Sequence, residues 1–64
     1  MKSLIVLNGK FYAGTDQNHK LILKDKRSDA LPIDSDELKI VIGAMFCRVM
    51  ADEIKLKRLE VLRS

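Results

Sequence analysis

DSDELKIVIGAMFCRVMADEIKLKRLEVL, residues 34–62, has the spacing of one long helix and contains more than half of the large apolar side chains. Asp34 belongs to the residue types that cap a first turn, and the Glu37 carboxylate, three residues on, can reach back to the cap. Acidic residues near this start and basic residues near the other end favour the same helix direction. We therefore predict a helix over residues 34–62, with Gly43 as its only internal breaker.

The predicted helix is apolar on more than one face. One seam, spaced as for a face that packs on a core, consists of Leu38, Ile42, Met45, Val49, Leu56 and Leu59. Further apolar residues between Ile40 and Met50 widen the arc beyond what a small sheet covers, so a second copy or another protein must cover the rest. We expect a homodimer, with a partner or dimer interface formed by Val41, Met45, Phe46 and Met50, flanked by Arg48.

The end of this stretch permits a second interpretation. Residues 54–62, IKLKRLEVL, alternate apolar and charged side chains and are compatible with a strand that contains a bulge. No typical turn residue between Met50 and Ile54 separates two elements, and the residue types are good helix formers. The helix is therefore the predicted structure.

A β-hairpin is predicted at the other end of the chain. Residues 3–7, SLIVL, run into Asn8-Gly9, a pair typical of two-residue hairpin turns because both positions need a positive φ. This turn pairs Val6 with Phe11, and we expect the sheet face bearing these two residues to lie on the helix.

A third strand is predicted over His19–Lys24, where apolar and polar residues alternate. The predicted fold class is thus α+β, with a small three-stranded antiparallel sheet (residues 1–33) packed on a long C-terminal helix (residues 34–62). A chain of 64 residues makes one domain, residues 1–64, with a marginal core that dimerisation would help.

Residues suited to catalysis or metal binding are few. His19 has no cysteine or serine spaced to act with it, and Cys47 lies in mid-helix, where a thiol usually packs as a small hydrophobe. The acidic residues near the helix start are explained as cap and dipole partners. We expect no enzyme activity, no cofactor and no metal. The single cysteine favours a cytoplasmic location, and no signal peptide or membrane-spanning run is predicted.

Nucleic-acid binding is the alternative function. The sequence pI is about 9.3, and two basic groups could converge on phosphates: Lys20, Lys24, Lys26 and Arg27, and Lys55, Lys57 and Arg58. Only Phe11 and Tyr12 are available to stack on bases, and an acidic block separates the basic ones. A solvated surface is therefore the preferred interpretation, and a non-enzymatic protein–protein interaction module is the expected function.

The run NGKFYAGTD (residues 8–16), followed by LILKDKRSDALPIDSDEL (residues 21–38) before a helix, resembles small uncharacterised accessory proteins of bacteriophage and prophage genomes. The resemblance implies a phage-encoded modulator of a host protein, which remains unidentified. It assigns no functional residue.

Overall fold

The computed structural model describes residues 2–63, which form a five-stranded antiparallel sheet and one α-helix. The strands are β1 (Lys2–Leu7), β2 (Lys10–Thr15), β3 (Leu21–Lys24), β4 (Ile33–Asp34) and β5 (Leu59–Arg63); the helix, α1, is Ser35–Met50, and a short 3₁₀ helix spans Arg27–Asp29. The strand order is β3-β2-β1-β4, and β5 also pairs with β1. The α+β class and the three expected strands are confirmed, but the sheet is larger and the helix shorter than predicted.

The hairpin turn between β1 and β2 forms as expected. Asn8 and Gly9 have φ values of 53° and 83°, the left-handed conformation of a type I′ turn. Leu7 pairs with Lys10 and Val6 with Phe11, so the predicted register is confirmed at the pairs nearest the turn.

Strand β1 is the centre of the sheet. Strand β5 lies along one edge of β1, from Ser3 to Leu7. Because a strand has only two edges, β2 and β4 share the other edge, where Ile33 of β4 pairs with Ser3. The Leu31 amide donates to the Tyr12 carbonyl at 2.9 Å, so the segment before α1 bridges the region where β1 and β2 separate.

Helix α1 packs on one face of this sheet. The buried core cluster consists of Ile5, Tyr12, Ile33 and Met45, with Leu21, Leu38, Val41, Ile42 and Leu59 packed around it. The face bearing Ile5 and Tyr12 therefore lies against α1. The prediction that the opposite face, with Val6 and Phe11, meets the helix is wrong. Residues 4–7 are all apolar and all buried, so both faces of β1 look alike in the sequence. The pattern therefore could not show which face meets the helix.

The start of α1 is where the sequence predicts it. Asp34 is the N-cap residue, but its side chain makes no capping hydrogen bond, and one of its carboxylate oxygens lies 3.8 Å from the Lys2 ammonium group. Ile33 is buried immediately before the cap, within the cluster against which Leu38 packs. Packing of the residue before the cap against the first turns, as in a hydrophobic staple, favours the helix start at this position.

The end of α1 contradicts the sequence prediction. The Glu53 amide donates to the Arg48 carbonyl at 3.0 Å, and the Asp52 amide donates to the Val49 carbonyl at 3.1 Å. This pair of bonds is a Schellman motif, with Asp52 at a φ of 60° in the position that glycine usually occupies. The helix ends at Met50, twelve residues before the predicted end.

The alternative strand interpretation is confirmed for the last part of the chain. Strand β5 begins at Leu59, after a loop of residues 51–58. Asn8 holds this loop: its carboxamide donates to the Lys55 carbonyl at 2.6 Å and accepts from the amides of Lys57 at 2.7 Å and Arg58 at 3.0 Å. The Asn8 amide also donates to the Arg58 carbonyl at 2.7 Å. These bonds align β5 beside β1.

Candidate interaction surfaces

An apolar surface lies on the side of α1 opposite the core. Ile40, Gly43, Cys47 and Met50 recur at intervals that align along one side of a helix, and Phe46 lies beside them. The exposed fractions are 72% for Ile40, 85% for Met50 and 43% for Phe46. We call these five residues the outer face of α1. Large apolar side chains this exposed are unusual as a contiguous group on a soluble domain.

The structure divides the predicted interface residues between different sides of α1. Phe46 and Met50 belong to the outer face, as expected. Met45 is only 2% exposed, and Val41 packs against the same core, so a docking partner does not reach Met45. Arg48 is half-buried and points to the β2–β3 loop, where its guanidinium group donates to the His19 carbonyl.

Sequence reasoning left Ile40 and Cys47 out of the predicted interface. Both are exposed on the outer face. The available signal was the 3-4-3 spacing from Ile40 through Gly43 and Cys47 to Met50, a second seam parallel to the core seam.

A cleft of about 630 Å³ lies between β3, the end of α1 and the following loop. Leu21, Leu23 and Ile54 form its apolar lining, and charged residues including Arg48 and Glu53 complete it. His19 also lines the cleft, but none of the described lining residues is a cysteine, serine or threonine. The described lining therefore places no side-chain hydroxyl or thiol group in the cleft beside the His19 imidazole.

The Asp16 carboxylate contributes two of the hydrogen bonds that hold the β2–β3 loop. Asp16 Oδ1 accepts hydrogen bonds from the amides of Asn18 at 2.8 Å and Lys20 at 2.9 Å. The Lys20 bond is the largest cause that lowers the pKa of Asp16 from its ordinary value of 3.8. The ionised carboxylate thus stabilises a loop in which His19 has a φ of 61°.

The fold gathers part of the predicted basic set at one end of the sheet. The Asn8 hydrogen bonds place Lys55, Lys57 and Arg58 beside the β1–β2 turn. Lys24, at the end of β3, pairs opposite Phe11 and so lies at the same end of the sheet.

The other predicted basic residues lie apart or have a structural role. Lys20 is in the β2–β3 loop at the opposite end of the sheet, whereas Lys26 is the N-cap residue of the 3₁₀ helix and follows Asp25, which pairs with Lys10. The Arg27 guanidinium group donates to the Arg63 carbonyl at 2.8 Å. Lys10, which the sequence prediction omitted, follows the β1–β2 turn directly.

In residues 2–63, no group of three or more histidine, cysteine, aspartate or glutamate residues is arranged to hold a metal ion. Within the same range, no helix is both long and apolar enough to cross a membrane.

Fold and surface together define a small α+β domain with an exposed apolar helix face. Comparison with protein-family models, with curated proteins and with solved structures finds no match. The bacteriophage setting and a host target therefore stay predictions.

Proposed function

We propose that this chain is a non-enzymatic protein–protein interaction module that acts as a homodimer through the outer face of α1. The observation that carries the proposal is the exposure of Ile40 and Met50, 72% and 85%, on the helix side opposite the core. A second copy is the simplest occupant, because a two-fold axis brings the same apolar patch to both sides of the interface.

The apolar area on this face supports a weak dimer. The exposed fractions of Ile40, Phe46 and Met50 together equal about two complete side chains in each copy. Burial of four such side chains in a dimer contributes about 6–12 kcal/mol, whereas association costs about 4–15 kcal/mol. Because the two ranges overlap, the net free energy of association is small, and we expect a weak dimer that dissociates on dilution.

The spacing of the outer face suits an antiparallel helix pair. With the two-fold axis on the outer side of α1, midway along the helix between Gly43 and Cys47, Ile40 of one copy lies opposite Met50 of the other, and Gly43 lies opposite Cys47. The space where a Gly43 side chain would project holds no other atom within 4 Å, so a second helix has room to approach closely there. Antiparallel alignment also places the helix dipoles favourably.

Sedimentation under reducing conditions tests the proposal. The unmodified chain is expected to change from monomer to dimer as its concentration rises from about 1 µM to 1 mM. Dissociation constants in this range correspond to association free energies of about −8 to −4 kcal/mol. Ile40→Lys and Met50→Lys are expected to keep it monomeric, because each would place a charge in the apolar interface.

Leu56→Lys is the matched control. Leu56 is 38% exposed but lies in the loop after α1, so this variant adds the same charge without altering the outer face. It is expected to dimerise like the unmodified chain. A monomer at all concentrations, or a dimer that both Ile40→Lys and Met50→Lys leave intact, contradicts the proposal.

A further inference from the structure

Three separate segments contribute cations to the end of the sheet that contains the β1–β2 turn. We call this set the basic end: Lys10, Lys24, Lys55, Lys57 and Arg58. The loop residues are held there by hydrogen bonds between the Asn8 side chain and the backbone, so their side chains are not needed to fix the loop. All five residues are exposed.

Carboxylates neutralise only part of this charge. Lys10 Nζ lies 3.9 Å from Asp25 Oδ1, and Arg58 Nε lies 2.7 Å from Glu60 Oε1. Within residues 2–63, no ion pair is recorded for Lys24, Lys55 or Lys57. The basic end is therefore a net positive surface on a chain whose net charge is only +3.

The width of this surface indicates an extended anion. The cations lie on β3, on β2 and in the loop that leads into β5, and the strand order β3-β2-β1-β5, with strands about 4.8 Å apart, makes this end of the sheet about 14 Å wide. The phosphates of a nucleic-acid strand form such an extended row of anions, and the three cations without an ion pair among residues 2–63, Lys24, Lys55 and Lys57, can contact about three of them. A membrane surface fits less well, because membrane binding also needs apolar side chains to insert. In the described loop of residues 51–58, Leu56 is the one large apolar side chain that is exposed.

We propose that the basic end binds the phosphate backbone of single-stranded nucleic acid without base specificity. This activity is separate from the outer face of α1, because the two surfaces share no residue. About three phosphate contacts predict that log K falls with log salt concentration with a slope of about −2.

Fluorescence anisotropy of a labelled oligothymidylate, measured from about 50 to 200 mM salt, tests the proposal. The double variant Lys55→Gln/Lys57→Gln removes two exposed contacts. It is expected to weaken binding roughly 25-fold at about 0.1 M salt and to make the slope shallower by about 1.4.

The matched control is Lys20→Gln/Lys39→Gln, which removes the same charge from residues outside the basic end. This variant is expected to retain the slope and to bind within a few-fold of the unmodified chain. Equal circular dichroism spectra and thermal midpoints of both double variants would show that any difference in binding arises from the surface.

Three results would overturn the proposal. The first is no anisotropy change at the lowest salt concentration. The second is an equal loss of affinity in both double variants, which would mean that net charge alone drives binding. The third is binding to vesicles that contain anionic phospholipid, with no binding to the oligonucleotide.

Discussion

Asn8 has two separate roles in this protein. Its backbone adopts the left-handed conformation of the hairpin turn, and its side chain binds three backbone groups of the loop before β5. The first role is readable from Asn-Gly between two apolar runs. The second was not predictable, because its partners Lys55, Lys57 and Arg58 are separated from Asn8 by 47 to 50 positions. Local sequence patterns carry no information about such contacts.

Asn8→Gly separates the two roles. Glycine adopts the turn conformation without strain but lacks the carboxamide, so we expect the free energy of unfolding to fall by about 1–3 kcal/mol. Urea denaturation followed by circular dichroism measures the change. Asn8→Asp keeps the acceptor for Lys57 and Arg58 but loses the donor to Lys55, and should lie between Asn8→Gly and the unmodified chain. If Asn8→Gly is as stable as the unmodified chain, the side-chain bonds do not stabilise the fold.

At the scale of the element, the start of α1 was predictable and its end was not. The start is predictable because its signals are close together in the sequence: Asp34 is a typical cap residue, and acidic residues follow it in the first turn. The end at Met50 depends on Asp52, which adopts a positive φ where glycine is the usual residue. Aspartate tolerates this conformation more readily than most residues, but it is not a reliable stop signal.

Asp52→Gly is expected to stabilise the protein. Glycine has no β-carbon to strain the left-handed conformation, and the Schellman bonds to Arg48 and Val49 are made by the backbone and remain. We expect a gain of up to about 1 kcal/mol in the free energy of unfolding, measured as a higher urea midpoint at unchanged slope. Asp52→Ala keeps a β-carbon but loses the polar side chain, and should be less stable than both. The opposite order, with Asp52→Ala above Asp52→Gly, would disprove this account of the helix end.

The two apolar seams of α1 explain why the residues of the predicted interface do not share one exposed surface. Excess apolar surface on the helix was visible in the sequence, and Phe46 and Met50 are indeed exposed. The periodicity placed Leu38, Ile42 and Met45 on the seam that packs on a core, and these three residues do pack there. Met45 was also assigned to the interface, although a residue of the core seam is not accessible to a partner.

At the scale of the whole molecule, the fold depends on both edges of β1. The predicted three-stranded sheet, a hairpin and one further strand, would leave one edge of β1 without hydrogen bonds. Residues 4–7 of β1 are all buried, so the backbone groups at that edge need a partner strand. Strand β5 fills that edge with the last residues that the structure describes. Residues 54–62 are compatible with helix or strand by local preference, and the unpaired edge selects the strand for Leu59 onward.

The direction of each β5 amide follows from the hairpin. In a two-residue turn, the flanking Leu7 and Lys10 exchange both backbone hydrogen bonds, so the backbone groups of Val6 point to the opposite edge, towards β5. Val6 is paired with Glu60, whose amide must therefore point to β1. The next amide, that of Val61, points away from β1.

Glu60→Pro and Val61→Pro should consequently differ, although both place proline in the same strand. Glu60→Pro removes an amide that bonds to β1 and leaves a carbonyl unpaired, so we expect the free energy of unfolding to fall by at least about 2 kcal/mol. Val61→Pro removes an amide at the edge of the sheet and should cost less. Glu60→Gln is the control for the Arg58 ion pair, an exposed pair worth about 0–1 kcal/mol. Urea denaturation of the three variants provides the comparison, and equal losses for both prolines would mean that β5 pairs with β1 in a different register.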